Sequence, residues 1–296
     1  MCAKFDYIVS EEYEREVRKE FEPLVKQQIG AREVGLNGNY LPGGGIYSVG
    51  WKGWKEFPAA DFVEKLTVWH NGFIRDHRDD PFYPFMSPLV YAGELDMREL
   101  RTNFEHMSGI ANLAFYYEGI AHFRAHLAGL REIRDFLAWH LFEETGHNEM
   151  LADFMEGYFK MDRVKEIWPL TDTLLLMEKD RMRYERLQRF KALNAKGHFV
   201  EIAAAAMFRE RILPKGNRLN ALGLRKHYNV PNKYLTFFDV HRFIDIYHER
   251  FGQYLLAKYA TTKDLQDQAE KVFKEMVLRE YQSEEKLYST MSASKK

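Results

Sequence analysis

The chain has 296 residues, enough for one large domain or two small ones and for a sizeable buried core. Hydrophobic residues make up 46% and charged residues 29%, which excludes a disordered chain, and 43 basic against 44 acidic side chains remove the electrostatic case for a nucleic-acid partner. The single cysteine, Cys2, excludes an internal disulfide and a cysteine-ligated zinc site. The polar, acidic start has no apolar core of a signal peptide, and no run of about 18 apolar residues occurs, so no membrane association and a cytoplasmic location are expected.

The predicted elements are helices. A first helix is expected at about Glu11–Gln28, opened by Ser10 with acidic residues in its first turn. A glycine- and aromatic-rich segment follows to about Ala60, and its Pro42-Gly43-Gly44-Gly45 to Trp54 stretch reads equally well as a lid or a plain surface loop. A helix is expected at Asp61–Arg78, then a break at Pro81, Pro84 and Pro88. Beyond it, prolines are sparse and the 3.6-residue pattern predicts helices at Met97–Leu127, Leu130–Lys160, Leu170–Leu193, Gly197–Leu213, Leu219–Tyr228, Leu235–Tyr259 and Leu265–Tyr288. Alternating strand patterns are scarce, so the fold class is all-α. Residues 1–95 read as helices and a glycine/aromatic segment packed on a helical domain at 96–296, the two forming one continuous domain.

Four helical segments carry a carboxylate on an apolar face: Glu118, Glu144, Glu210 and Asp245. Burying a carboxylate among apolar side chains is costly unless it has a partner. Spacing suggests a metal. Glu144 and His147 form Glu-x-x-His, Asp245 and His248 form Asp-x-x-His, and residues three apart share a helix face. Two single carboxylates plus two carboxylate-x-x-His pairs make up the ligand grammar of helical di-iron and di-manganese sites. Glu143 is the alternative to Glu144, because a four-residue step to His147 works nearly as well. His241, one turn before Asp245, is a plausible seventh ligand. His140 stands in the same relation to Glu144 and reads as a core residue or one that orients a ligand. Arg209, Arg211 and Arg242 adjoin ligands, and any that faces inward could pair with a substrate carboxylate.

The run Gly223-Leu224-Arg225-Lys226-His227-Tyr228 through Phe237-Phe238-Asp239-Val240-His241 to Asp245 and His248 resembles the C-terminal signature of haem-oxygenase-like di-iron oxidases. That superfamily also holds thiaminase II and the pyrroloquinoline quinone synthesis protein C. Glu210 with Pro214 four residues on, and Phe142 to Phe154, resemble two further helices of the family. The likeness spans about Leu100 to Ala260. It implies a haem-oxygenase-like helical bundle with a di-metal site between core helices, and ligands at Glu118, Glu144, His147, Glu210, His241, Asp245 and His248. The family often places a longer gap between the glutamate and histidine of its earlier helix, which keeps Glu143 and Glu144 both open.

The resemblance further implies two weakly held iron ions, dioxygen as co-substrate and a small organic substrate, an amino acid or amine first, in specialised metabolism. N-oxygenation, desaturation and carbon–carbon cleavage are the expected reactions. Alternatives are fatty-acid oxidative decarboxylation, a ferritin-like arylamine N-oxygenase and a non-catalytic iron-binding scaffold. An external electron donor and a homodimer are both compatible with the reading. Thiaminase-type hydrolysis needs a cysteine nucleophile in the helical core, and Cys2 at the start of the chain suits that poorly.

Overall fold

The computed structural model describes residues 54–144, 146–168 and 199–293. The expected helices at Glu11–Gln28 and Leu170–Leu193, and the lid reading of residues 42–53, lie outside the described residues. Eight α-helices are described: α1 (Ala60–Asp76), α2 (Ser87–Ala92), α3 (Met97–Leu127), α4 (Arg131–Glu144), α5 (His147–Phe159), α6 (Phe199–His227), α7 (Thr236–Tyr259) and α8 (Lys263–Ala293). Short 3-10 turns stand at Trp54–Glu56 and Asn232–Tyr234, and a π-helical turn at Arg163–Ile167. No strand occurs among the described residues, as the sequence pattern predicts. No described helix is long and apolar enough to cross a membrane.

Local chemistry sets the boundaries. α3 begins with a capping box: the Asp96 carboxylate accepts from the Arg98 and Glu99 amides at 2.9 Å, and the Glu99 carboxylate accepts from the Asp96 amide at 2.9 Å. The single helix expected over Leu130–Lys160 is two helices, because Gly146 adopts φ +94°, a left-handed torsion that glycine tolerates and that ends an α-helical run. Conversely, the break expected between Leu213 and Leu219 is absent, and α6 runs through Pro214. A proline inside a helix costs about 3 kcal/mol. Burial of Ile212, Leu219 and Leu224 on both sides of Pro214 offsets it. Since Pro214 has no N–H, α6 lacks the i+4 bond to the Glu210 carbonyl.

The chain divides into two compact units, and α6, α7 and α8 each contribute to both. The first contains described residues up to Tyr83, then those in His198–Asn217 and Val240–Tyr281. Its core joins α1, α6 and α8 through His70, Phe208 and Phe273, whose rings meet edge-on at centroid distances of 5.7 to 6.1 Å. His70 is fully buried, and neither ring nitrogen has a hydrogen-bond partner among the described residues. Burial first, then the Arg211 and Lys215 cations, hold its imidazole well below the usual pKa. Where α6 meets α7, Gly252 lies against Met207, and a Cβ on Gly252 would sit 3.0 Å from the Met207 Cα. At the start of α1, the Ala59 amide donates to the Ala257 carbonyl of α7 at 2.9 Å.

The second unit contains Pro84–Gly197, Arg218–Asp239 and Gln282–Lys296, as far as they are described. Here α3 packs on α4 and α5. The rings of Phe104, Phe154 and Phe238 form a mutual edge-to-face cluster at 5.0 to 5.3 Å. Tyr158 donates to the Tyr228 carbonyl at 2.7 Å, and Tyr228 donates to the Leu95 carbonyl at 2.9 Å. Gly223 of α6 lies so close to α2 that a Cβ there would fall inside contact distance of the Val90 carbonyl.

Two measurements check this packing. Gly223→Ala is expected to lower stability by about 1–3 kcal/mol, seen as a lower melting temperature, because the obstacle is backbone and cannot rotate away. His70 has a folded-state pKa below its unfolded one, so its contribution is fully present above pH ~6.5 and is lost as pH falls below that value. A melting-temperature profile over pH 4.5–7.5 (about three units around the ordinary histidine value) should fall less steeply on the acid side for His70→Leu than for wild type.

Candidate metal centre

Glu210 lies on α6, and Asp245 and His248 lie one turn apart on α7. All three belong to the first unit. The sequence places them on faces rich in alanine and aromatic residues, and the structure buries them: Glu210 is 2% exposed, Asp245 0% and His248 1%. His248 Nδ1 stands 3.5 Å from Glu210 Oε2 and 3.6 Å from Asp245 Oδ1. One donor atom from each of the three falls within 4.8 Å of the other two.

These separations exceed an ordinary hydrogen bond. They suit donors that share an ion. Two ligand atoms each about 2.1 Å from a first-row metal, at adjacent positions, lie about 3–3.5 Å apart. Two carboxylates and one imidazole form an oxygen-rich donor set with the softness iron accepts. The residues present therefore fit an iron ion. On the far side of Glu210, Oε1 accepts from Arg209 Nε at 2.6 Å, so one carboxylate oxygen is held by a guanidinium while the other faces His248.

In the second unit, Glu144 ends α4 and His147 begins α5. Glu144 Oε2 meets His147 Nδ1 at 2.8 Å, and Glu144 Oε1 lies 3.4 Å from His140 Nε2. The Glu-x-x-His spacing thus works across the Gly146 turn and not along one helix face. A carboxylate against Nδ1 fixes the imidazole's orientation. His140 and His147 are both buried.

The other expected residues are distributed as follows. His241 is buried on α7, one turn before Asp245. Glu118 lies on α3 and Glu143 on α4, and their side chains lie outside the described residues. Arg242 is half-buried. Arg211 is buried and donates to Glu249 Oε1 at 2.6 Å and to Asn71 Oδ1 at 2.5 Å. The sequence reading passed over Glu249, Asn71 and Gln253. The one local hint was that Glu249 follows a candidate ligand.

The family model described as "iron-containing redox enzyme", of haem-oxygenase-like type, matches residues 116–281, a span that contains all seven expected ligands. No curated protein and no solved structure matches the chain.

The geometry predicts opposite effects of one substitution in two states. Two buried carboxylates near one another repel when no cation lies between them. Asp245→Asn should leave the melting temperature of metal-free protein unchanged or higher. It should also abolish most of the rise on adding Fe(II) anaerobically, which for a tight site at a hundredfold excess over Kd is worth about 2.7 kcal/mol. An equal metal-induced rise in wild type and variant would remove Asp245 from the ligand set.

Proposed function

Because the chain belongs to a family of haem-oxygenase-like, iron-containing redox enzymes, we propose that it is a non-haem di-iron oxidase or oxygenase that uses dioxygen to oxidise a small organic substrate, an amino acid or amine. The observation that supports this reading most directly is the buried Glu210, Asp245 and His248 cluster, with donor spacing suited to a shared ion. These three residues are assigned to one iron. Glu118, Glu144 and His147 are assigned to the second, with Glu144 preferred over Glu143 and with His241 as the seventh ligand. Ferrous iron would supply the electrons that dioxygen needs, chemistry no amino-acid side chain provides.

The chain's own residues do the rest. Glu210 and Asp245 would neutralise the charge of a bound metal, and Arg209 holds the Glu210 oxygen turned away from His248. Glu144 orients the His147 ring. Ala203, Ala204, Met207 and Phe208 are buried in the two turns of α6 before Glu210, so this stretch of the helix excludes water. Arg242, one residue after His241, is assigned to a substrate carboxylate, the contact an amino-acid substrate would need. N-oxygenation, desaturation and carbon–carbon cleavage are the reactions proposed for it. A cytoplasmic enzyme of specialised metabolism fits this chemistry.

Anaerobic Fe(II) titration should saturate at two ions per chain. Air-exposed, iron-loaded protein should then take up oxygen, faster with the true substrate among a panel of amino acids, amines and fatty acids. One ion per chain at saturation would overturn the dinuclear assignment. Two ions without oxygen uptake on any compound would leave an iron-binding scaffold. Glu144→Ala should lower the iron count, whereas Glu143→Ala should not.

A further inference from the structure

The α6 ligand Glu210 is followed by Arg211, and the α7 ligand His248 is followed by Glu249. Arg211 and Glu249 form a buried ion pair, with Arg211 donating to Glu249 Oε1 at 2.6 Å and side-chain exposures of only 5% and 8%. The pair is further tied at both ends. Arg211 also donates to Asn71 of α1 at 2.5 Å, and Gln253 Nε2, one turn along α7, donates to Glu249 Oε1 at 2.9 Å. Four side chains from three helices thus form a continuous hydrogen-bonded chain, buried at Arg211, Glu249 and Gln253 and half-buried at Asn71, at the level of the candidate metal ligands. Three residues past Glu249, Gly252 lets α7 approach α6 at Met207.

We infer that Arg211 and Glu249 are positioning residues for the metal: their ion pair fixes the register of α6 against α7, so that Glu210 and His248 hold ligand spacing before any ion arrives. This inference rests on the metal reading of Glu210, Asp245 and His248. A buried charge pair is rarely the most stable solution for a core, since apolar residues of similar volume often do as well or better. What it supplies is directionality: a charge-assisted bond of this length is lost if one helix slides by a residue, whereas apolar contacts re-form in the new register. A preset spacing also avoids the cost of ordering long carboxylate side chains at the moment of binding.

The test uses the full chain and anaerobic Co(II), whose visible ligand-field bands report on coordination geometry. His248→Ala identifies the bands that belong to this ligand set. The double variant Arg211→Met/Glu249→Met removes both charges together, so no lone charge stays buried and helical content and metal-free melting temperature should be maintained. The expected result is about tenfold or greater weakening of Co(II) binding at the His248-dependent site, with those bands shifted or broadened. A folded double variant with wild-type affinity and wild-type bands overturns the inference. If the double variant does not fold, Gln253→Leu takes its place: it loosens one end of the chain, and a several-fold loss of affinity is expected, with no change overturning the proposal. Wild-type protein without a His248-dependent cobalt spectrum overturns the metal reading itself, and the positioning role falls with it. A wild type that binds and a double variant that binds equally well overturn only the positioning role.

Discussion

Glu210 and Asp245 bring two carboxylates into an interior with almost no access to water, and the surrounding chemistry answers that constraint. A lone ionised carboxylate in such a place is prohibitive. Arg209 holds one Glu210 oxygen, and the spacing of His248 Nδ1 from both acids suits a cation shared among them. A core meant only for stability would have no reason to keep this arrangement, because apolar side chains of the same volume pack there without penalty. The polar side chains around it follow from the same constraint. Arg211 and Glu249 are each buried charges acceptable only because they meet.

The two candidate ligand regions reach their geometry by different routes. Asp245 and His248 exploit the ordinary helical step of three residues, so their relative position follows from backbone hydrogen bonds alone. Glu144 and His147 have the same sequence spacing, but a helix ends between them, and their 2.8 Å contact depends on the left-handed torsion at Gly146. A change in that torsion would part them, whereas the backbones of Asp245 and His248 stay one turn apart as long as α7 is intact.

This difference also explains what could be read from the sequence. The all-α class, the boundaries of α3 and α7 and the carboxylate-histidine grammar are local properties, carried by a capping box, a 3.6-residue repeat and three-residue steps. The helix break at Gly146 and the continuity through Pro214 went against local preference, since a glycine in a helical pattern is usually tolerated and a proline usually is not. Burial on either side decided Pro214, and burial is a tertiary property. The Arg211–Glu249 pair joins residues 38 positions apart, a separation at which neither partner leaves a trace in the other's neighbourhood. Arg211 adjoins a ligand, which drew it toward a substrate-binding reading. Its partners on α1 and α7 were not visible until those helices were placed against it.

The near-contact of Gly252 with Met207 has a consequence for how this scaffold can diversify. Where two helices are spaced by bulky side chains, each core substitution shifts the helices and everything they carry. Where they are spaced by backbone against backbone, the distance is set by atoms no substitution at other positions alters. Residues elsewhere along α6 and α7, apart from the Arg211–Glu249 pair, can then change size or polarity while the separation of Glu210 from His248 stays put. Altering those positions would leave that separation in place, whereas a side chain at Gly252 would press on the Met207 backbone and move the helices apart.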